Sequence, residues 1–179
     1  DIVVASNGDG YLAVWEDGRS GRFEDIYGVR LTAAGDVVDP LGLAISTAPN
    51  RQTDPAIASD GDGYLVVWDD FRDANSSKIF ATRVGAGGVQ DPNGFRVGTS
   101  VDSGSQGAPV VASNGTHYFV VWADTRLAGW DLFGARVSSS GVVLEPDGIL
   151  VSNADTEEDS PAVASDGTVA ASVRTTDVS

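Results

Sequence analysis

The chain repeats itself. Ala-Ser-Asn-Gly-Asp-Gly-Tyr-Leu-Ala-Val-Trp runs from Ala5, and close variants run from Ala58 and Ala112. The phrase begins again at Ala164 as Ala-Ser-Asp-Gly-Thr-Val. The steps are 53, 54 and 52 residues. A fixed period of this size belongs to solenoids, propellers and arrays, in which one supersecondary unit buries its apolar face only against the next. The units are 1–53, 54–107, 108–159 and a partial 160–179.

The second unit is the clearest. Residues 55–59 form a short apolar strand, Asp60-Gly61-Asp62-Gly63 has hairpin-turn chemistry, and residues 64–68 are β-branched and aromatic throughout, a strand buried on both faces. After a polar loop, residues 78–84 alternate with period two, and 95–98 make a fourth, more polar strand. No stretch has helical periodicity. Four antiparallel strands per unit, apolar inside and polar at the edge, describe a propeller blade. A tandem array of small sandwiches fits less well, because four strands alone bury too little to stand as a domain. The expected fold is an all-β, partial β-propeller with three complete four-stranded blades plus two strands of a fourth. Such an array leaves apolar flanks, so the chain is expected to associate with itself or with further blades.

Composition narrows the partners. Eleven basic residues against 26 acidic ones give a net charge of −15, which repels nucleic acid and anionic membranes. No apolar run approaches the length of a membrane span. The chain has no Cys and no Met, Lys78 is its only lysine, and it contains 22 Gly. Disulfides and thiolate metal sites are thereby excluded, and the chain reads as a processed or excised piece of a secreted, extracellular or cell-surface protein.

Three residue columns recur. Trp15, Trp68 and Trp122 are expected to fill the gap between adjacent blades, each indole N–H finding a backbone acceptor. Two and four residues later stand Asp17 and Arg19, Asp70 and Arg72, Asp124 and Arg126. An arginine fork bridges a carboxylate with two bonds. These pairs are read as ties from the loop after strand two to a neighbouring blade, or as a charged ring that meets a ligand. A second arginine column, Arg30, Arg83 and Arg136, closes the third strand. Loops after strands two and four share one face of a blade. On that face the non-repeating Trp130 and Phe71 are the candidate ligand-stacking residues, together with the Asp–Arg pairs.

Catalytic motifs are absent. His117 is the only histidine, so a triad or a zinc site has little to build on, and no carboxylate pair stands out from the repeat. The turns after strand one invite Ca2+, but with one or two carboxylates each they read first as plain hairpins. The acidic run from Asp155 to Asp159 is a better cation attractor and reads first as a solvated loop.

Asp25-Ile26-Tyr27-Gly28-Val29-Arg30 and Asp131-Leu132-Phe133-Gly134-Ala135-Arg136 complete a pattern with the Tyr-Leu-Val-Val-Trp strand and the Asp-x-Arg loop. It resembles the propeller repeats of large secreted or cell-surface bacterial proteins, from which Lys78 and Ala81 depart in the second unit. The sialidase Asp-box is not matched. The calcium loop of integrin-type blades is matched only by Asp60 and Asp62. The resemblance implies a non-catalytic binding or assembly module that presents loops to a protein or glycan. The alternatives are a carbohydrate-binding or carbohydrate-active propeller domain, and a subunit that assembles into a ring or filament through open blade flanks.

Overall fold

A computed structural model describes residues 1–73, 76–98, 104–127, 129–153, 158–167 and 172–174. Each copy of the phrase becomes a hairpin, and each hairpin seeds a sheet. The first sheet holds β1 (Ile2–Ser6), β2 (Gly10–Asp17), β3 (Asp25–Thr32) and β4 (Leu43–Ser46), antiparallel in that order. In the second, β5 (Gln52–Ser59), β6 (Tyr64–Asp70) and β7 (Lys78–Gly85) meet an edge made of two short pieces, β8 (Gly88–Val89) and β9 (Phe95–Arg96). The third has β10 (Gln106–Ser113), β11 (His117–Asp124), β12 (Asp131–Ser138) and β13 (Ile149–Ser152). A hairpin of β14 (Ala162–Ala164) and β15 (Ser172–Arg174) follows. There is no helix among the described residues. The first strands β1, β5, β10 and β14 contact one another in succession, as inner strands around an axis do.

Why these residues form these turns is visible in the hydrogen bonds. Asp60 Oδ1 accepts the amides of Asp62 and Gly63 at 3.1 and 2.9 Å, and Asn7 and Asn114 do the same in their sheets. These side-chain oxygens close the turn on the backbone, which is the hairpin role expected for them.

The sheets stack face to face. One face of each sheet carries its Trp and points back to the preceding sheet; the other is aliphatic and points forward. Leu12, Val14 and Ile26 of the first sheet pack on Tyr64, Val66, Trp68 and Phe80 of the second. Leu65, Val67 and Ile79 pack in the same way on Tyr118, Val120, Trp122 and Phe133. Trp68 and Trp122 are fully buried, whereas Trp15, on the backward face of the first sheet, is half-buried.

Polar ties reinforce the stacking. Asn7 Nδ2, in the first turn of the first sheet, donates to the Asp62 carbonyl of the second at 3.4 Å, and Tyr64 and Tyr118 lie beside Asn7 and Asp60 of the preceding sheets. Arg30 donates to the carbonyls of Gly85 and Ala86 at 3.1 and 2.5 Å, and Arg83 to that of Ser139 at 3.4 Å, each in the following sheet. Each of these arginines is also clamped by an acid of its own sheet, Asp39 or Asp91; Arg136 is clamped by Glu145.

In the terminal hairpin the pairing corrects one expectation. By sequence count Arg174 occupies the Trp column. It pairs with Ala162, as Val14 pairs with Val3, so Arg174 stands in the column of Val14. The Trp column then falls at 175, outside the described residues.

Candidate functional site

The Trp–Asp–Arg columns are staples within a blade. Each indole N–H donates to the Asp two residues on: Trp15 to Asp17 at 2.9 Å, Trp68 to Asp70 at 2.8 Å and Trp122 to Asp124 at 3.0 Å. The acceptor is therefore a carboxylate and not the backbone group expected. The same Asp takes the amide and the guanidinium of the Arg two residues further, at 2.9 and 2.7 Å for Arg72. That guanidinium lies over the aromatic of strand three, 4.2 Å from the Tyr27 centroid, 3.7 Å from Phe80 and 4.0 Å from Phe133. It ends on a carbonyl leading into strand four: Leu41, Asn93 or Asp147. One side chain thus spans strands two, three and four of its own sheet. The tie to a neighbouring blade belongs to the other arginine column, Arg30 and Arg83.

These bonds set the charge state of the carboxyls. The Arg19 fork, with the indole of Trp15, holds Asp17 far below the usual carboxylate range. Burial acts against Asp124, but donors from Arg126, Trp122 and Gln106 outweigh it and keep its pKa low. With both oxygens accepting bonds inside the blade, Asp70 and Asp124 present little to a ligand.

Of the aromatic candidates, Trp130 is half-buried and packs on Val121, Ala123 and Leu132. Its carbonyl accepts the amide of Glu158 at 2.9 Å. It fills the joint between the third sheet and the terminal hairpin and does not stand out into solvent. Phe71 is half-exposed, and the Arg51 guanidinium lies 4.6 Å above its ring. His117 opens β11 and borders a hollow of about 360 Å3 shared with Arg136 and Ile149. Residues 155–157 of the acidic run lie outside the described residues. Among the described residues, no three His, Asp or Glu side chains converge as a metal site.

The residues that do converge lie where inner strands begin. The ladder of β5 with β6 slips between Thr53 and Ala56, and that of β10 with β11 between Gly107 and Val110. At these bulges Asp54 and Ala108 adopt φ of 53° and 51°, left-handed values that cost a non-glycine residue free energy. The acid after each of the first two repeat tryptophans holds the bulge of the next blade: Glu16 Oε1 accepts the amide of Asp54 at 2.9 Å, and Asp69 Oδ2 that of Ala108 at 3.4 Å. A bulge re-aims a side chain, and here it aims Asp54 at the axis.

The result is a cavity of about 420 Å3 at the axial end that bears the loops after strand two. Asp1, Glu16, Asp54 and Asp159 line it among apolar residues such as Val3, Pro55, Pro109 and Pro161. Asp69 lies behind the Ala108 wall, 6% exposed, with Oδ1 unpartnered. Burial, with the Asp54 charge nearby, pushes its pKa up to about 8. It therefore carries a proton at neutral pH. The sequence held a signal for this site: at the position after Trp stand Glu16, Asp69 and Ala123, so the acid lapses in the third unit. Without the bulge, nothing in the sequence directs those acids to the axis.

No protein-family model matches the chain, and no curated protein matches it. Among solved structures it is similar to an endo-arabinase from Bacteroides thetaiotaomicron VPI-5482. That likeness has a TM-score of 0.56 at 11% identity and covers 98% of this chain and 74% of that one. It is also similar to a native arabinanase from Bacillus subtilis, with a TM-score of 0.49 at 12% identity, over 89% of this chain and 62% of that one. At these identities the likeness is one of fold. The chain is all-β and folds as a partial β-propeller with three four-stranded blades and a hairpin of a fourth. No helix among the described residues is long and apolar enough to cross a membrane.

Proposed function

We propose that this chain is the ligand-facing part of an extracellular carbohydrate-active propeller, and that a glycan enters the axial cavity at Glu16 and Asp54. The observation that carries the reading is the acid-and-proline-lined cavity itself, with Asp54 turned into it by a strained bulge. Carboxylates accept hydrogen bonds from sugar hydroxyls, and flat apolar walls suit the C–H faces of a sugar ring. Asp69, protonated behind the Ala108 wall, holds one of the bulges that frame the cavity. The fold shared with an endo-arabinase is in keeping with this choice over a bare scaffold. Phe71, with Arg51, stands at the same end of the β5–β6 hairpin and is the rim aromatic of the reading.

The test is calorimetric titration with arabinan and a panel of neutral polysaccharides, alongside release of reducing ends. Binding is expected to weaken at least tenfold in Asp54→Asn. No signal with any glycan at millimolar concentration, or an unaffected variant, refutes the proposal.

A second reading rests on the backward face of the first sheet. Ile2, Val4 and Tyr11 are 67%, 62% and 42% exposed there, in a sheet whose equivalent faces in the next two blades are covered by aliphatic strands. On this reading a second copy of the chain covers that face. Sedimentation at micromolar concentration is then expected to give at least twice the mass of one chain, and a monomer refutes it.

A further inference from the structure

At the joint between the first and second blades, three buried oxygens have no hydrogen-bond partner among the described residues: Asp25 Oδ2, Ser46 Oγ and Gln52 Oε1. Their residues are 4%, 2% and 0% exposed. They share one spot in the backbone. Ser46 is the ladder partner of Ile26, and the Gln52 amide donates to the Glu24 carbonyl at 2.8 Å, so Asp25 lies between the two. Gln52 Nε2 is engaged by the loop carbonyls of Ala48, Pro49 and Asn50 at 3.1, 3.3 and 2.8 Å, which leaves Oε1 turned away from them. Among the described residues no Lys, Arg or His pairs with the Asp25 carboxyl. A buried carboxylate without a partner is among the costliest groups a fold can hold.

The next joint shows what the position accepts. Lys78 stands opposite Asp70 as Asp25 stands opposite Asp17. It is 3% exposed, and its Nζ donates to the Gly104 carbonyl at 2.7 Å. Gly104 precedes Gln106 by two residues, as Asn50 precedes Gln52. In this joint Gln106 Oε1 accepts the Ile79 amide, and Nε2 donates to Asp124. Gly98 stands here in the column of Ser46, and with Gln106 Oε1 paired no side-chain oxygen of this joint is orphaned. A side chain added at Gly98 would meet Gln106 Nε2 at 2.7 Å, so the serine and glutamine columns face each other.

The third joint returns to acid. Asp131 is 7% exposed with Oδ2 unpartnered, and the glutamine column holds Glu158, which takes the Ser152 hydroxyl at 2.5 Å. Ser152 is the ladder partner of Leu132, as Ser46 is of Ile26.

We propose that the joints at Asp25 and Asp131 each bind a hard cation of calcium's chemistry, at the place that the Lys78 ammonium fills in the joint between them. The side-chain donors are all oxygens, the set such ions take. A buried water would satisfy the hydroxyl and the amide oxygen but would leave the carboxylate charge uncompensated. Lys78 shows that the fold itself puts a positive charge there. With one or two carboxylates per site and otherwise neutral donors, affinity belongs in the range of extracellular modules, a Kd of about 10⁻⁴–10⁻³ M.

Ca2+ titrated into the chelator-stripped chain is expected to bind at two sites by calorimetry. At ten times Kd each site is expected to raise Tm by roughly 3–6 °C. Asp25→Lys copies the middle joint. It is expected to bind one ion and to match or exceed the wild-type Tm in chelator. Should it fail to fold, Asp25→Asn gives the same count. Two ions still bound by the Asp25→Asn and Asp131→Asn double variant overturn the proposal. So does a Tm that is the same in chelator and in about 20 mM Ca2+, well above that affinity range.

Discussion

The first blade and the two after it share one staple in two environments. Asp17, Asp70 and Asp124 make the same bonds to an indole and a guanidinium. Yet the arginine side chains are 45%, 19% and 10% exposed, and the carboxylates 13%, 0% and 1%. The motif therefore closes without a neighbour, because all its partners lie in its own blade. A neighbour buries it, and burial decides what its loss costs.

The largest expected effect separates the two environments. Asp124→Ala leaves Arg126 and the Trp122 indole unpaired in a buried setting and is expected to cost about 3–5 kcal/mol in urea unfolding. Asp17→Ala, in the open staple, is expected to cost far less, since exposed pairs contribute little. Equal losses would mean that burial by the next blade does not set the value of the staple.

The tryptophans give the next contrast. Trp68→Ala empties a fully buried site and is expected to cost about 3–5 kcal/mol; Trp15→Ala is expected to cost less. Acrylamide quenching in single-Trp variants reads the same difference. Trp15 is expected to be quenched, and Trp68 to resist.

The last contrast is in pH, and it has opposite signs at two kinds of carboxyl. Asp69 has a folded pKa near 8, above its unfolded value, so the native state holds the extra proton. Stability is expected to fall as pH rises from about 5 to 8, and Asp69→Asn to flatten that slope. Asp17, Asp39, Asp91 and Glu145 have depressed pKa values. Their contribution is present above the unfolded carboxylate range and is lost as pH drops below about 4. Urea midpoints across this range check both signs.

Much of the architecture was legible because the repeat prints it three times. The Asp-Gly and Asn-Gly turns, the all-apolar second strand and the alternating third strand each appear where their residues demand. The outer edge was less so. The fourth strand of the second blade splits into Gly88–Val89 and Phe95–Arg96, since short polar segments gain too little from pairing to announce themselves. The tie to a neighbouring blade, expected of the Asp–Arg pairs, falls to Arg30 and Arg83, because spacing gives the existence of a fork and not its direction. The acids that clamp the second column were written in the sequence as Asp39-Pro40, Asp91-Pro92 and Glu145-Pro146, each acid three residues ahead of a glycine. At Gly94 a side chain would collide with Trp68, 2.7 Å from Cη2, and at Gly148 it would crowd Trp122, so these two glycines leave room for the indole. Trp130, prominent by its absence from other units, proved a packing residue. The axial acids were hidden for the opposite reason, since two of them belong to the repeat and only a register slip in a different strand gives them a destination.

The arginine ties between blades all run one way, from the third strand of one to the outer turn of the next. A unit of this kind carries a plug on one side and a socket on the other. Copying a unit into the row adds one of each and leaves every existing joint unaltered. A gene encoding such a row can lengthen or shorten by whole units without redesign, and its working loops are free to diverge from one copy to another.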